Sequence, residues 1–392
     1  MGMIASAGRI NRATIGPVLR GTLRWKGKVR SPEDHLLAAV DWLRTAQDRC
    51  GDGVTGWYGY FIREGRPGWS DAYPETTGYI IPTLLDTAEQ SDAPDLPERA
   101  VRMGEWLLTL QLPEGGFPGG LKSEVPAPTV FNTGQILKGL HRLWIETSDV
   151  RYRQACDRAA KWLADAMSED GAFRKHLSPF VPTQTQHTYN VRVAWIMLSY
   201  ARQIDDQRIF EAASANMRFA LSMQRSNGWF AENGMKFNDA PCLHETAYST
   251  RGLIECGILA GDEEAVRGAM RAADALLARQ RNDGGLGGDF FREDWTPLYG
   301  ATCLTGLCQM SINWMILFEH TGERRYLEGA SRALRFVCST QNLNSVHSGV
   351  RGGIAGSFPV WGKYMAWTYP NWTAKFLIDG LLRIVRLGGW QK

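Results

Sequence analysis

The chain has 392 residues, 44 Lys and Arg against 41 Asp and Glu, and is 44% hydrophobic, so it can bury a large core and its charge implies neither nucleic acid nor an anionic membrane as partner. No apolar stretch of ~18 residues indicates a membrane span, and residues 1–18 lack the apolar core of a signal peptide, so a cytoplasmic location is expected. The seven cysteines are an odd number with no Cys-x-x-Cys, which fits free thiols in a reducing compartment.

The chain opens with an expected arm, residues 1–30, whose basic run (Arg20, Arg24, Lys26, Lys28, Arg30) reads as solvated. From residue 31 to 392 one unit repeats. An amphipathic helix ends near a Gln, and a Gly-rich turn with an aromatic residue or Leu follows. Gln111 precedes Gly115-Gly-Phe117, Gln224 precedes Gly228-Trp229, and Gln280 precedes Gly284-Gly-Leu286. Gln47 and Gln341 complete the set, and Met167 stands in the Gln position before Gly171-Ala-Phe173. A period of roughly sixty residues marks a repeat architecture.

The marker helices carry charge on one side only, and the first, 32–47, opens with Ser31 as N-cap and Pro32 at its first position. Between markers lie segments apolar almost all round: 76–88, 129–146, 187–202, 243–259, 299–320 and 369–385. Helices apolar on every side are buried, so these six should form an inner ring within the marker helices. No strand run of length appears. The expected fold is therefore all-α, an (α/α)6 toroid of about twelve helices in two concentric rings, forming a single domain. Long loops such as 53–73, 113–128 and 342–369 lead into the inner-helix N-termini, so a site should open on that side.

The fourth inner segment carries the densest chemistry. His244, Tyr248, Arg251 and Glu255 fall on one stripe of a helix that is otherwise apolar or small. Buried ionisable groups are costly unless they face partners or water. A core hydrogen-bond network would also accommodate one or two of them, but four on a stripe favour a polar cavity. Tyr73, Glu75 and Tyr79 lie at the mouth of the first inner segment, Asn132 at the second, and His187, Tyr189, Asn190 and Arg192 at the third. Tyr299 opens the fifth, and Tyr369, Asn371 and Trp372 open the sixth. Aromatic walls with many neutral hydrogen-bonding groups suit an oligo- or polysaccharide. His244-Glu245 resembles the start of a zincin helix, but Tyr248 replaces the second ligand, so no metal and no cofactor are expected.

The Gln-to-Gly turns and the helix-pair repeat resemble the α/α-toroid superfamily. It contains squalene and terpenoid cyclases, protein prenyltransferases, polysaccharide lyases, uronyl C5-epimerases and many glycoside hydrolases. Within it, Ala72-Tyr-Pro-Glu-Thr-Thr-Gly-Tyr79, Tyr189-Asn-Val-Arg192 and Gly352-Gly-Ile-Ala-Gly-Ser-Phe-Pro359 resemble prenyltransferase-repeat-like proteins of bacterial polysaccharide clusters. Tyr73-Pro-Glu-Thr-Thr77 is similar to a run in glucuronyl C5-epimerases. The cyclases' Asp-x-Asp-Asp is absent, and the zinc-binding residues of the prenyltransferases cannot be placed together.

Two chemistries follow from these residues. In the first, a lyase or epimerase abstracts the C5 proton of a uronate, with Tyr248 and His244 as base and acid and Arg251 on the carboxylate. In the second, a glycoside hydrolase uses Glu75 and Glu245, with Asp294 behind them. A glycan-binding module without chemistry and an isoprenoid cyclase are further readings.

Overall fold

The recurring Gln is a staple. Gln111 Nε2 donates to Gly115 O in its own turn (2.9 Å) and to Ala155 O in the next marker helix (2.9 Å). Gln280 does the same to Gly284 O (3.1 Å) and Gly329 O (2.9 Å). The turn glycine is needed for two reasons. Gly284 has φ +88°, and a Cβ there would lie 2.1 Å from Arg332 O of the following helix. Met167 cannot donate, and Asn216 supplies the missing bond from the next helix, Nδ2 to Gly171 O at 2.7 Å.

A computed structural model describes residues 26–63, 66–122, 127–177, 186–235 and 240–390. Twelve α-helices are found among them: α1 (Pro32–Asp48), α2 (Pro74–Gln90), α3 (Leu96–Leu108), α4 (Val130–Thr147), α5 (Val150–Ala166), α6 (Val191–Ile204), α7 (Gln207–Ser222), α8 (Leu243–Ala260), α9 (Glu263–Leu277), α10 (Leu304–Thr321), α11 (Arg324–Thr340) and α12 (Asn371–Arg386). The even-numbered helices pack side by side in a closed ring, α12 returning to α2, and the odd-numbered ones lie outside. This is an α/α toroid. All of α10 from Leu304 to Leu317 is buried, which is why its sequence shows no polar face. Helices α2 and α4 approach so closely that a Cβ on Gly139 would lie 2.1 Å from Gly78 O.

The same staple closes the outer ring. Gln341 Nε2 donates to Gly352 O (2.7 Å) and across the seam to His35 O (3.2 Å), while its Oε1 meets His35 Nδ1 at 2.6 Å. Gln341 is 3% exposed, so losing its amide strands three buried polar atoms. Gln341→Ala should cost about 3 kcal/mol, more than Gln111→Ala at a half-buried position. Urea midpoints of the two variants check this, and equal losses would show that the seam has no special demand.

Short strands appear where none of length was expected. The aromatic run β1 (Trp57–Arg63) pairs antiparallel with β2 (Arg66–Trp69), Tyr58 opposite Trp69. β3 (Thr302–Cys303) pairs with β4 (Ser357–Phe358), and β5 (Thr368–Pro370) joins β1 with Tyr369 opposite Tyr58. Loops from the two ends of the chain are thereby clasped over one mouth of the toroid. Three inner helices also start two or more residues later than expected, α12 because Tyr369 and Pro370 belong to β5. Thr188–Asn190 form a 3-10 turn before α6, and Thr302 and Cys303 belong to β3.

Part of the expected N-terminal arm is held. Gly27 N donates to Ser339 O (2.7 Å), and Lys26 pairs with Asp283 (2.8 Å) while sitting 4.1 Å over the Phe336 ring. Residues 1–25 lie outside the described ones. All seven cysteines are free thiols, six of them buried. No helix among the described residues is long and apolar enough to cross a membrane.

Candidate active site

The long loops and the inner-helix N-termini enclose a cavity of about 360 Å³. Helix α2 contributes Tyr73, Glu75, Thr76 and Tyr79. Pro74 occupies its first position, where no N–H is needed, and the Thr76 and Thr77 hydroxyls donate back to Tyr73 O (3.2 and 2.9 Å). Glu75 is thus fixed in the first turn, where a helix N-terminus favours a negative charge. Burial outweighs that preference. Only 8% exposed, with a hydrogen bond from Tyr73 and the charge of Arg192 as weaker opposing influences, its carboxyl is pushed up to about 7.

Helix α8 contributes His244, Glu245 and Tyr248. Glu245 Oε2 accepts from Cys242 N–H (2.7 Å), so this carboxylate caps the helix while it lines the cavity. His244 Nδ1 meets Gln309 Oε1 at 2.7 Å. The amide oxygen can only accept, so Nδ1 carries the proton and Nε2 is left as an acceptor. Burial lowers His244 to about 3, and the ring is neutral at ordinary pH. Burial also raises Tyr248, which lies beside the Tyr79 phenol and under the Arg192 guanidinium (4.7 Å to the ring centre). The attraction of Arg192 does not offset the desolvation, so Tyr248 is a neutral phenol. Tyr189 lies near both carboxyl groups, each of which opposes its ionisation.

Around these groups stand Trp57, Phe131, Tyr364 and Trp372, with Trp372 Nε1 donating to Tyr364 Oη at 2.8 Å. Asn132 Nδ2 donates to Pro118 O (3.3 Å), and the Thr129 hydroxyl has no partner among the described residues. The cavity therefore offers one carboxyl that holds its proton up to about pH 7, a second carboxyl, and polar groups set into aromatic walls. That arrangement can stack a ring, meet hydroxyls and donate a proton.

Of the residues singled out in the sequence, Tyr73, Glu75, Tyr79, Asn132, Tyr189, His244, Glu245, Tyr248 and Trp372 line the cavity. The remaining eight lie elsewhere. Arg251 Nε donates to Glu255 Oε1 (2.7 Å), further along α8. Arg192 is 2% exposed behind Tyr248 and donates Nε to Gln135 Oε1 (2.9 Å). His187 stacks on Tyr189 (4.6 Å) with Nδ1 on Gly234 O (3.1 Å), and Asn190 is buried beside it in the 3-10 turn. Asn371 Nδ2 ties the start of α12 to Thr55 O and Thr76 Oγ1, both at 2.8 Å. Tyr369 pairs in the small sheet, and Tyr299 is 45% exposed against Phe290. Asp294 is used in a surface turn, accepting from Thr296 N (2.9 Å).

Trp57, Phe131, Tyr364, Met365, Leu121 and Met235 line the cavity without having been singled out. Phe131 was legible in principle, one residue before Asn132 at the start of an inner helix. The others sit in long loops whose path no local pattern announces.

No family model matches the chain. Among curated proteins it is similar to the terpene cyclase–glycosyl transferase fusion protein fsoA of Humicola fuscoatra, with 28% identity over 262 residues. That match takes in 64% of this chain and 16% of the fungal protein, so the chain corresponds to a small part of it. Among solved structures it resembles the unsaturated glucuronyl hydrolase of Bacillus sp. GL1, with TM-score 0.69, 15% identity, 92% of this chain and 98% of the other covered. The unsaturated glucuronyl hydrolase of Streptococcus agalactiae gives 0.64 at 11% identity, covering 93% and 94%. A glycosyl hydrolase family 88 protein of Bacteroides vulgatus gives 0.63 at 10%, covering 91% and 99%. At such identities the shared property is the fold.

Proposed function

We propose that the protein is a carbohydrate-active enzyme that hydrolyses a glycosidic bond, with Glu75 as the general acid. The observation that carries this reading is a buried carboxyl raised to about 7 inside an aromatic cavity, hence partly protonated at neutral pH. Glu75 delivers its proton to the leaving oxygen as the bond from that oxygen to the sugar carbon breaks. Glu245, the second carboxyl of the cavity, receives the proton of the attacking water. Trp57, Trp372 and Tyr73 stack on the sugar faces, and Asn132, Thr129 and His244 Nε2 meet its hydroxyls. The toroidal glucuronyl hydrolases that share this fold support the assignment by analogy.

The uronate C5 chemistry suits the cavity less well. It requires a cation on the substrate carboxylate, and no Lys or Arg lines the cavity among the described residues. It also requires a base, whereas Tyr248 is held neutral and burial makes His244 a weak base. A neutral sugar at the cleavage point is the better fit. Incubation with neutral and uronic oligosaccharides tests this: new reducing ends without an ultraviolet-absorbing product are expected, and Tyr248→Phe retains most of the rate. An ultraviolet-absorbing product, or loss of turnover in Tyr248→Phe with binding intact, would restore the lyase reading.

A second reading has its own observation. The cavity walls are largely aromatic, and the curated relative includes a terpene cyclase. A protonated Glu75 is also what acid-initiated isoprenoid cyclisation requires. Hydrocarbon products from a linear isoprenoid, with no release of reducing sugar, would favour it.

A further inference from the structure

Beyond the cavity floor, one to two turns further along the inner helices, cations outnumber acids. Trp195 of α6 stands at the centre. Lys138 Nζ of α4 lies 4.8 Å from its ring centre, Arg251 Cζ of α8 lies 5.0 Å away, and Arg192 Cζ lies 5.3 Å away. Lys375 of α12 completes the group, 5.4 Å from the Tyr79 ring that also lines the cavity. Against these four stand two carboxylates: Glu255 pairs with Arg251 (2.6 Å), and Asp379 pairs with Lys375. Lys138 and Arg192 have no carboxylate at ion-pair distance among the described residues. Further out, Arg383 and Arg386 share the single Glu319.

Counted as charged, the four cations exceed the two carboxylates by two, in a region of low polarity where like charges repel strongly. Cation–π contact with Trp195 favours a cation at 138, but one ring facing three cations does not balance their charge. The group is also reachable. Lys138, Trp195, Arg251, Glu255 and Asp379 are all partly exposed, whereas Arg192 and Lys375 beneath them are buried. Three of the cations, from α4, α6 and α8, gather around the Trp195 ring, and the fourth comes from α12. A planar monoanion would leave one of the surplus charges unmatched. A tetrahedral dianion balances both and presents oxygens in several directions.

We propose that this cluster is a binding site for a phosphate dianion, held by Lys138 and Arg251 beside Trp195 with Arg192 and Lys375 below. It is separate from the cavity, divided from it by the layer of Tyr79, Arg192 and Phe376, and it does not depend on the reaction assigned there. Burial first, and then the surrounding cations, pull Lys138 well below the ordinary lysine range, and a bound dianion favours its charged form.

Isothermal titration of the full chain with inorganic phosphate, in a chloride buffer of matched ionic strength, tests the proposal. The wild type should bind phosphate, and Lys138→Met and Arg251→Gln should each weaken binding on the order of tenfold or more. Glucose 1-phosphate, titrated in parallel, separates the sources: tighter binding than phosphate identifies a phosphorylated ligand, and weaker binding the free ion. Melting in phosphate-free buffer keeps a misfolded variant from deciding the matter, because Lys138→Met removes a repelled cation and should melt no earlier than the wild type. The proposal is overturned if wild-type protein shows no heat with either compound. It is also overturned if both variants bind as the wild type does, or if Lys138→Met melts earlier without phosphate.

Discussion

Glu75→Gln is expected to lower kcat by ~10²–10⁴-fold with KM nearly unchanged, the range in which general acids contribute. Gln keeps the shape and the contact with Tyr73 but has no proton of sufficient acidity for a glycosidic oxygen. The pH profile should share that origin. Glu75 is useful only while protonated, so the wild-type rate should fall as pH rises through about 7. Stability provides an independent readout. The folded value lies above the ordinary 4.5, so the folded state disfavours ionisation. Wild-type stability is then complete below about 4.5 and is lost progressively as pH rises through about 7. Gln does not ionise, so between pH 4 and pH 8 the variant should gain on the order of 3 kcal/mol relative to wild type. A variant inactive at every pH but without this gain would mean that Glu75 is ionised in the fold and acts otherwise.

Asp379→Ala should be the most damaging change to the fold, at about 3–5 kcal/mol. Lys375 is 1% exposed and its carboxylate partner is Asp379, which also accepts from Thr83 Oγ1 at 2.6 Å. Without Asp379 the ammonium is buried facing Arg192 and Arg251, the cations that already lower its proton affinity. A lysine so depressed destabilises the fold while charged, so the variant should recover stability as pH rises and Lys375 loses its proton. Adding Lys375→Met should restore most of the loss, because an apolar side chain of similar length removes the stranded charge. Denaturant titrations of the single and double variants across pH measure both effects. A loss below ~1 kcal/mol in the single variant would show that water reaches Lys375 and that the pair is dispensable.

Much of the architecture was present in the order of residues. A sixty-residue period, apolar segments between amphipathic ones and a Gln before each Gly turn are local patterns, and they specify helix pairs that must stack to bury their faces. The lone Met167 showed as a departure, but its replacement by Asn216 did not, because that bond crosses between helices. The strands lay hidden because each is short and finds its partner in another loop, β5 lying far from β1 along the chain.

The site divides along the same line. Glu75, His244 and Tyr248 were legible because each sits in the first turns of an inner helix that follows a long loop. Arg251 was drawn with them because it shares a stripe with His244 and Tyr248. A stripe records direction around a helix, not depth along it: seven residues span about 10 Å, enough to carry Arg251 past the cavity to Glu255. Protonation was beyond the sequence altogether. The sequence by itself determined the two rings and nine of the side chains that line the cavity. Only the tertiary structure decided which proton is held, because burial sets that and burial depends on every loop folded over the site. The same packing placed Arg192 behind Tyr248 and left the Glu75 carboxyl buried in the cavity with its pKa raised.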